Sequence, residues 1–404
     1  MSFSWKLKVF WFRFCQDLMS PFMKGMKYSG QTVLEGEDAF LKIPSLLSER
    51  GLKKPMLVSG RTVCRLESYS RLLEALPGAV TYNQVGSDPK ASQVVEMAGI
   101  FKQNGCDSII AIGGGSSMDA SKAMGAVCAT GKNPDRLHGV LKVHKKLPFL
   151  VAVPTTAGTG SECTVAAVVT YDWDGRKMAI NDPSLLPAAA VLDPRLTETL
   201  PAHLTAYTGM DAMTHAVEAY LNKRFLSKEN ERNAVEAVKL IFGSLPAAYA
   251  DGSDLSARSN MLRASYLAGK AFTAACVGNV HAIAHTFGGL YHVQHGLANA
   301  VILPVVLRDY AEHSPKRLAS LERETAENAP LDDREAALSF IDKIENINRT
   351  LGIPDHLTRK EEDVPTMADW AYREANPLYP VPVIYSREHF MEIIRKVSTP
   401  QEES

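Results

Sequence analysis

Between residues 31 and 195, short apolar or β-branched runs alternate with longer segments of helical period, and no other feature of the chain constrains its fold as tightly. The runs are PMLVS (55–59), AVTYNQV (79–85), SIIAI (108–112), FLVAVP (149–154), AAVVTYD (166–172) and AAAVLD (188–193). Patterns such as ASQVVEMAGIFKQNG and SMDASKAMGAVCATG lie between them. Strands spaced by helices predict a mostly parallel sheet with crossover helices. After LDPRLTETLP the texture changes, and stretches such as LTAYTGMDAMTHAVEAYLNKRF and DDREAALSFIDKIENINRTLG keep a helical period to the end. The expected architecture is an N-terminal α/β domain over 31–197 and an all-helical domain over 198–404, preceded by an amphipathic extension over 1–30. A length of 404 residues suits this division.

Charge excludes one class of partner. Lys and Arg number 44 against 45 Asp and Glu, a net charge of −1, without the basic excess that binding a nucleic-acid backbone needs. Six cysteines are scattered with no CxxC pair, as expected of a cytoplasmic protein. The extension, MSFSWKLKVFWFRFCQDLM, is aromatic and basic. Lys6, Lys8 and Arg13 interrupt it short of the ~20 apolar residues of a spanning helix, and no cleavage pattern follows. We expect it to dock on the protein's own surface or on a second subunit, with peripheral membrane contact as the alternative.

DSIIAIGGGSSMDASKAM, residues 107–124, combines a strand, a glycine turn and a helix start. Gly113, Gly114 and Gly115 let backbone N–H groups approach an anion, and Ser116 or Ser117 can cap a helix whose positive end favours phosphate. The pattern is neither G-x-G-x-x-G nor a P-loop, so alone it is equally a tight structural turn. VPTTAGTGSE (153–162) follows another strand with Thr155, Thr156, Thr159 and Ser161. Loops leaving the carboxyl ends of parallel strands gather at one edge, and two polar ones predict a nucleotide cleft there.

NVHAIAHTFGGLYHVQHG, residues 279–296, holds four of the eleven histidines. On a continuous helix at about 100° per residue, His285, His292 and His295 would fall within roughly 40° of His281. Gly288 and Gly289 are expected to break that helix, leaving His281 and His285 near its end and His292 and His295 on a returning loop. In GMDAMTHAVEAY (209–220), Asp211 and His215 stand at i and i+4 on one face. Three nitrogens and one carboxylate suit divalent iron or zinc and are too nitrogen-rich for magnesium or calcium. HExxH is absent.

GGGSSMDASK, PTTAGTGSE, GMDAMTHAVEAY, NVHAIAHTFGG and QHGLANAVILP, in this order, resemble the iron-containing (group III) alcohol dehydrogenases, and the likeness spans roughly residues 28–400, including ANPLYPVPV. The resemblance implies a nucleotide-binding α/β domain, a helical metal-binding domain, and cofactor and metal meeting between them. It implies Fe²⁺ or Zn²⁺ on Asp211, His215, His281 and His295, and a proton-relay role for His285. NAD or NADP would contact Gly60, Asp88, Gly114, Gly115, Ser116, Asp119, Thr155, Thr156, Thr159 and Lys177, with Lys122 supporting the loop. His292 falls where the family varies and is expected to line the cleft or face solvent. Homodimers or higher homo-oligomers acting on small alcohols or aldehydes are expected, with the metal stabilising an alkoxide during hydride transfer.

One departure concerns the cofactor. Where many NAD-using members carry an aspartate after the first strand, this chain reads LVSGRTVCR, with Gly60, Arg61 and Thr62. Glycine leaves space for a 2′-phosphate and arginine offers it a partner, so NADPH is expected to serve at least as well as NADH. Two other readings compete. A zinc- and NAD-dependent relative, of the glycerol phosphate dehydrogenase or dehydroquinate synthase type, would need basic groups near the metal that these motifs lack. A purely structural metal clip would be expected to use cysteine, and this set has none.

Overall fold

In the computed structural model, which describes residues 3–25, 30–173 and 175–401, successive residues of the central strands bury into two different cores. Helix α1 (Phe3–Gly25) opens the described chain. β1 (Thr32–Glu35), α2 (Ile43–Ser48), β2 (Pro55–Ser59), α3 (Glu67–Glu74), β3 (Val80–Tyr82), α4 (Ala91–Gln103), β4 (Ser108–Gly113) and α5 (Gly115–Thr130) follow. β5 (Gly139–Val140), β6 (Phe149–Pro154), β7 (Ala166–Thr170), β8 (Lys177–Asn181) and β9 (Ala189–Leu192) complete this half. The main sheet runs β1-β9-β6-β4-β2-β3, with each neighbouring pair parallel. On one side Met56, Val58, Ile109 and Ala111 pack with Val94 and Met97 of α4 and Ala123 of α5. On the other, Leu57, Ile110 and Ile112 pack with Ile43 and Leu47 of α2 and Leu72 of α3. A strand buried on both faces has no solvent side to carry polar residues, hence the unbroken apolar runs.

Three expectations change. AAVVTYD is not in the main sheet: β7 pairs antiparallel with β8, which pairs parallel with β5 in a separate three-stranded sheet. Val168 on β7 is exposed between buried Ala167 and Val169, the mark of a half-solvated strand. β1, four residues with alternating burial at the sheet edge, gave too short a run to stand out. The second half is also not wholly helical, since β10 (Leu357–Arg359) and β11 (Ser398–Pro400) form a parallel pair. Strands of three residues carry no readable period.

The second half otherwise consists of α6 (Ala202–Leu221), α7 (Lys228–Ala250), α8 (Leu255–Ala275), α9 (Asn279–Tyr291), α10 (His295–His313), α11 (Pro315–Thr325), α12 (Asp333–Thr350), α13 (Val364–Ala375) and α14 (Arg387–Lys396). The chain forms two compact units, one of Lys27–Leu200 with Gly252–Gly269, the other of Met1–Met26, Pro201–Asp251 and Lys270–Ser404. Most of α8, up to Gly269, thus groups with the α/β unit, where a single boundary near 197 puts it with the helices. Glycine contact is the reason: a Cβ on Gly160 (φ +60°) would lie 2.7 Å from the Gly269 Cα. Tyr266 donates to Gln31 at 3.0 Å, and Arg263 pairs with Glu35 at 3.1 Å. Among the described residues, no helix is long and apolar enough to cross a membrane. Within the expected extension, residues 1, 2 and 26–29 lie outside the described residues.

Candidate metal and cofactor sites

Helix α6 is buried along most of its length, and its i, i+4 spacing carries Asp211 and His215 to one place. Glycine determines what reaches them: a Cβ on Gly296 would lie 2.1 Å from the Tyr207 carbonyl oxygen, so only glycine lets the start of α10 approach α6 this closely. His295 is the adjacent residue and the first of α10, not part of a loop as expected. Gly288 and Gly289 do not break α9, which continues to Tyr291 and ends in His292 at φ 54°. This exposed, left-handed C-cap is what the structure assigns to His292. The helix survives its glycines because burial of its Val280, Ile283, Ala284 and Phe287 face outweighs a penalty of about 1 kcal/mol each.

Asp211, His215, His281 and His295 each offer a ligand atom, and the four atoms lie within 4.8 Å of one another. The first three residues are buried and the His295 side chain is partly exposed. His295 Nε2 is 3.4 Å from Asp211 Oδ1. His215 is stacked between the rings of Phe272 and His281, at 4.2 and 4.6 Å. Burial and neighbouring imidazoles hold His281 well below its ordinary pKa, so it is neutral at pH 7. Its Nδ1 sits 2.6 Å from Glu218 Oε2, whose carboxylate also accepts from the N–H groups of Gly278 and Val280 at 2.7 Å. Those two N–H groups leave the Glu218 oxygens as acceptors, so His281 carries its proton on Nδ1 and turns the Nε2 lone pair to the cluster. Burial raises the Glu218 carboxyl, while the Gly278 and Val280 N–H groups oppose this by favouring its ionised form. Asn299, fully buried, donates to Asp211 Oδ1 at 2.8 Å and stands 3.2 Å from both His281 Nε2 and His295 Nε2.

Neither Glu218 nor Asn299 was singled out from the sequence, although Glu218 follows His215 at i+3 and Asn299 follows His295 at i+4. Helical spacing from the candidate ligands is the signal that points to both. His285, which was named from the sequence, likewise follows His281 at i+4. Its Nδ1 meets Glu374 Oε1 at 2.7 Å, and the Tyr379 hydroxyl donates to that oxygen at 2.9 Å. Burial raises the Glu374 carboxyl, yet His285 and Tyr379 hold it below its ordinary value. The His285 ring stacks on His295 with centroids 5.2 Å apart.

In the α/β unit, β4 and β6 are neighbours, so the loops that follow them are side by side, joined by Thr155 N–H donating to Gly113 O at 3.0 Å. A Cβ on Gly115 would meet Thr159 at 3.0 Å, and one on Gly113 (φ +150°) would meet Ser117 Oγ at 2.5 Å. Gly114 is the N-cap of α5, with no side chain capping it, which corrects the capping role expected of Ser116 or Ser117. Ser116 Oγ instead donates to Ser87 O at 2.6 Å. Uncapped N–H groups at a helix start remain available to an anion. Asp119 accepts from Ser161 Oγ at 2.6 Å and from Val168 N at 3.0 Å. Lys122, fully buried, donates to Ser161, Thr164 and Ala166 O at 2.8–2.9 Å. Three acceptors offset a desolvation cost of several kcal/mol, so this pair braces the two loops from within. Exposed Lys177 and Asp88 pair with each other at 2.8 Å. Thr156 approaches Gly114, and a Cβ on Gly60 would meet Val85 O at 3.1 Å.

Three imidazoles and one carboxylate without cysteine are a donor set that could hold a divalent metal such as iron or zinc. The family model for iron-containing alcohol dehydrogenase matches residues 30–194, and that for the Fe-containing alcohol dehydrogenase family, C-terminal, matches residues 205–398. The chain is 37% identical to the NAD-dependent methanol dehydrogenase of Bacillus methanolicus over 84% of its own length and 91% of that protein's. It is 38% identical to the 1,3-propanediol dehydrogenase of Citrobacter freundii over 82% and 89%. Among solved structures, an alcohol dehydrogenase from Oenococcus oeni superposes with a TM-score of 0.87 at 33% identity, covering 92% of this chain and all of that one. The protein belongs to the iron-containing alcohol dehydrogenase family. It is an oxidoreductase acting on alcohols.

Proposed function

We infer that the protein interconverts small alcohols and aldehydes with a nicotinamide cofactor, using one divalent metal, Fe²⁺ or Zn²⁺, held by Asp211, His215, His281 and His295. The observation that carries this reading is the convergence of those four ligand atoms within 4.8 Å, with Glu218 selecting the His281 tautomer that can ligate. When bound, the metal supplies Lewis acidity to the alcohol oxygen and the nicotinamide supplies or accepts hydride. The chain does the rest. Glycines 114 and 115 and the open N–H groups of α5 receive the pyrophosphate, while Thr155, Thr156 and Thr159 line its loop. Asp119 acts indirectly, by holding Ser161 and Val168 in place. His285, oriented by Glu374, carries the proton to solvent, which its partly exposed ring allows. The glycerol phosphate dehydrogenase or dehydroquinate synthase reading is not supported by the similar proteins, which are named as alcohol, methanol and propanediol dehydrogenases and a lactaldehyde reductase.

Two outcomes test the reading. Glu218→Gln puts an amide N–H where the carboxylate accepts, and metal affinity is expected to fall about 10- to 100-fold in a chelator competition. Arg61 is exposed next to Gly60, and NADPH is expected to give kcat/KM at least equal to that of NADH across a panel of small aldehydes. A strong NADH preference overturns the cofactor assignment, and no turnover with any metal-loaded form overturns the function.

A further inference from the structure

Helix α1 packs inward with an unusual face. Gln16, fully buried, donates to Pro377 O and Tyr379 O at 2.9 Å, Arg13 donates to Pro382 O at 2.9 Å, and Trp5 and Phe12 meet the Tyr372 ring. Asp17 pairs with Arg224. The opposite face carries Phe3, Leu7, Phe10, Trp11, Phe14, Leu18 and Phe22, each between 51% and 85% exposed. Their spacing follows i, i+3, i+4 and i+7, so they form one continuous stripe on the side turned from the protein. A soluble chain rarely leaves so large an apolar patch to water without a use for it.

We propose that this stripe docks in the plane of an anionic lipid surface. The charges select that occupant. About 100° per residue puts Lys6 and Lys24 along one border of the stripe and Lys8 along the other. All three lysines are exposed. The one acidic residue of α1 is Asp17, already engaged by Arg224. A second α1 laid against the stripe would bring more lysines to these borders and no free carboxylate to meet them. Lipid phosphates and serine carboxylates would meet them, while Trp11 and the phenylalanines enter the boundary between headgroups and acyl chains. The helix has Lys6, Lys8, Arg13, Asp17 and Lys24 along it and does not cross a membrane. The inward hydrogen bonds of Arg13 and Gln16 keep the rest of the protein attached to the docked helix.

Flotation of the metal-loaded full chain with phosphatidylcholine vesicles, with and without phosphatidylserine, tests this. The protein is expected to float with the anionic vesicles, and less so as salt rises. Phe10→Ser/Trp11→Ser/Phe14→Ser is expected to remain unbound while keeping wild-type alcohol oxidation, since these side chains touch no part of the site. Lys6→Glu/Lys8→Glu is expected to lower partitioning by at least roughly tenfold, given about fivefold per lysine at such a surface. The proposal is overturned if wild type floats with neither vesicle or if the triple serine variant floats as wild type does. It is also overturned if that variant only shifts sedimentation to a smaller assembly, which would assign the stripe to a second copy.

Discussion

Asp211→Ala is expected to leave the purified protein without retained metal and to lower kcat/KM by on the order of a thousandfold. The side chain is the single anion among the four candidate ligands and is buried with two of the imidazoles. Without it, three neutral nitrogens would hold a dication in a low-dielectric site with no compensating charge. A Lewis acid contributes several kcal/mol to such a reaction, and each 1.36 kcal/mol is tenfold in rate. Asn299 would also lose its acceptor at 2.8 Å, leaving a buried amide donor that costs about 1–3 kcal/mol. Metal content after dialysis and steady-state kinetics with NADH and NADPH check both halves. A variant that kept full metal occupancy and near-normal turnover would remove Asp211 from the site.

Gly296→Ala is expected to destabilise the protein by about 3 kcal/mol, the upper end for inserting a methyl into a packed interior, and to weaken metal binding with it. The added Cβ would lie 2.1 Å from the Tyr207 carbonyl oxygen and 2.6 Å from its carbon. Both are backbone atoms of α6, so no rotamer change relieves the contact. Relief requires the start of α10 to withdraw, and His295 withdraws with it. Gly288→Ala is the internal control: its Cβ would meet nothing nearer than Val293 O at 3.8 Å, and alanine favours a helix by about 1 kcal/mol. Thermal melts and metal titrations of the two variants should therefore move apart, with Gly288→Ala unchanged or stabilised. Equal behaviour would show that the α6–α10 approach does not depend on glycine.

Much of the site was legible because its chemistry sits in short segments. Asp211 and His215 share one helix turn, His281 and His285 share another, and Gly113 to Ser117 form a strand-to-helix turn. Local periodicity is enough to orient such pairs. The misreadings have a common cause. Gly288 and Gly289 looked like a helix end because propensity is a local quantity, whereas α9 is held by the burial of Ile283 and Phe287. The capping role given to Ser116 and Ser117 failed because the helix already begins at Gly115, which puts both serines inside its first turn and leaves Gly114 as the N-cap. Glu374 and Tyr379 were not found, since nothing in their own neighbourhood points to His285.

The amino-acid order by itself determined the strand-and-helix alternation, the glycine turn, the residues able to ligate a metal, and the family likeness. Each depends on side chains a few positions apart, where spacing along the chain is also spacing in space. Tertiary structure alone decided that His295 reaches Asp211 through the gap at Gly296, and that Glu218 fixes the His281 proton. It also decided that β7 leaves the main sheet and that α1 turns its aromatic stripe outward. These outcomes follow from packing between segments distant in sequence, which no local pattern encodes.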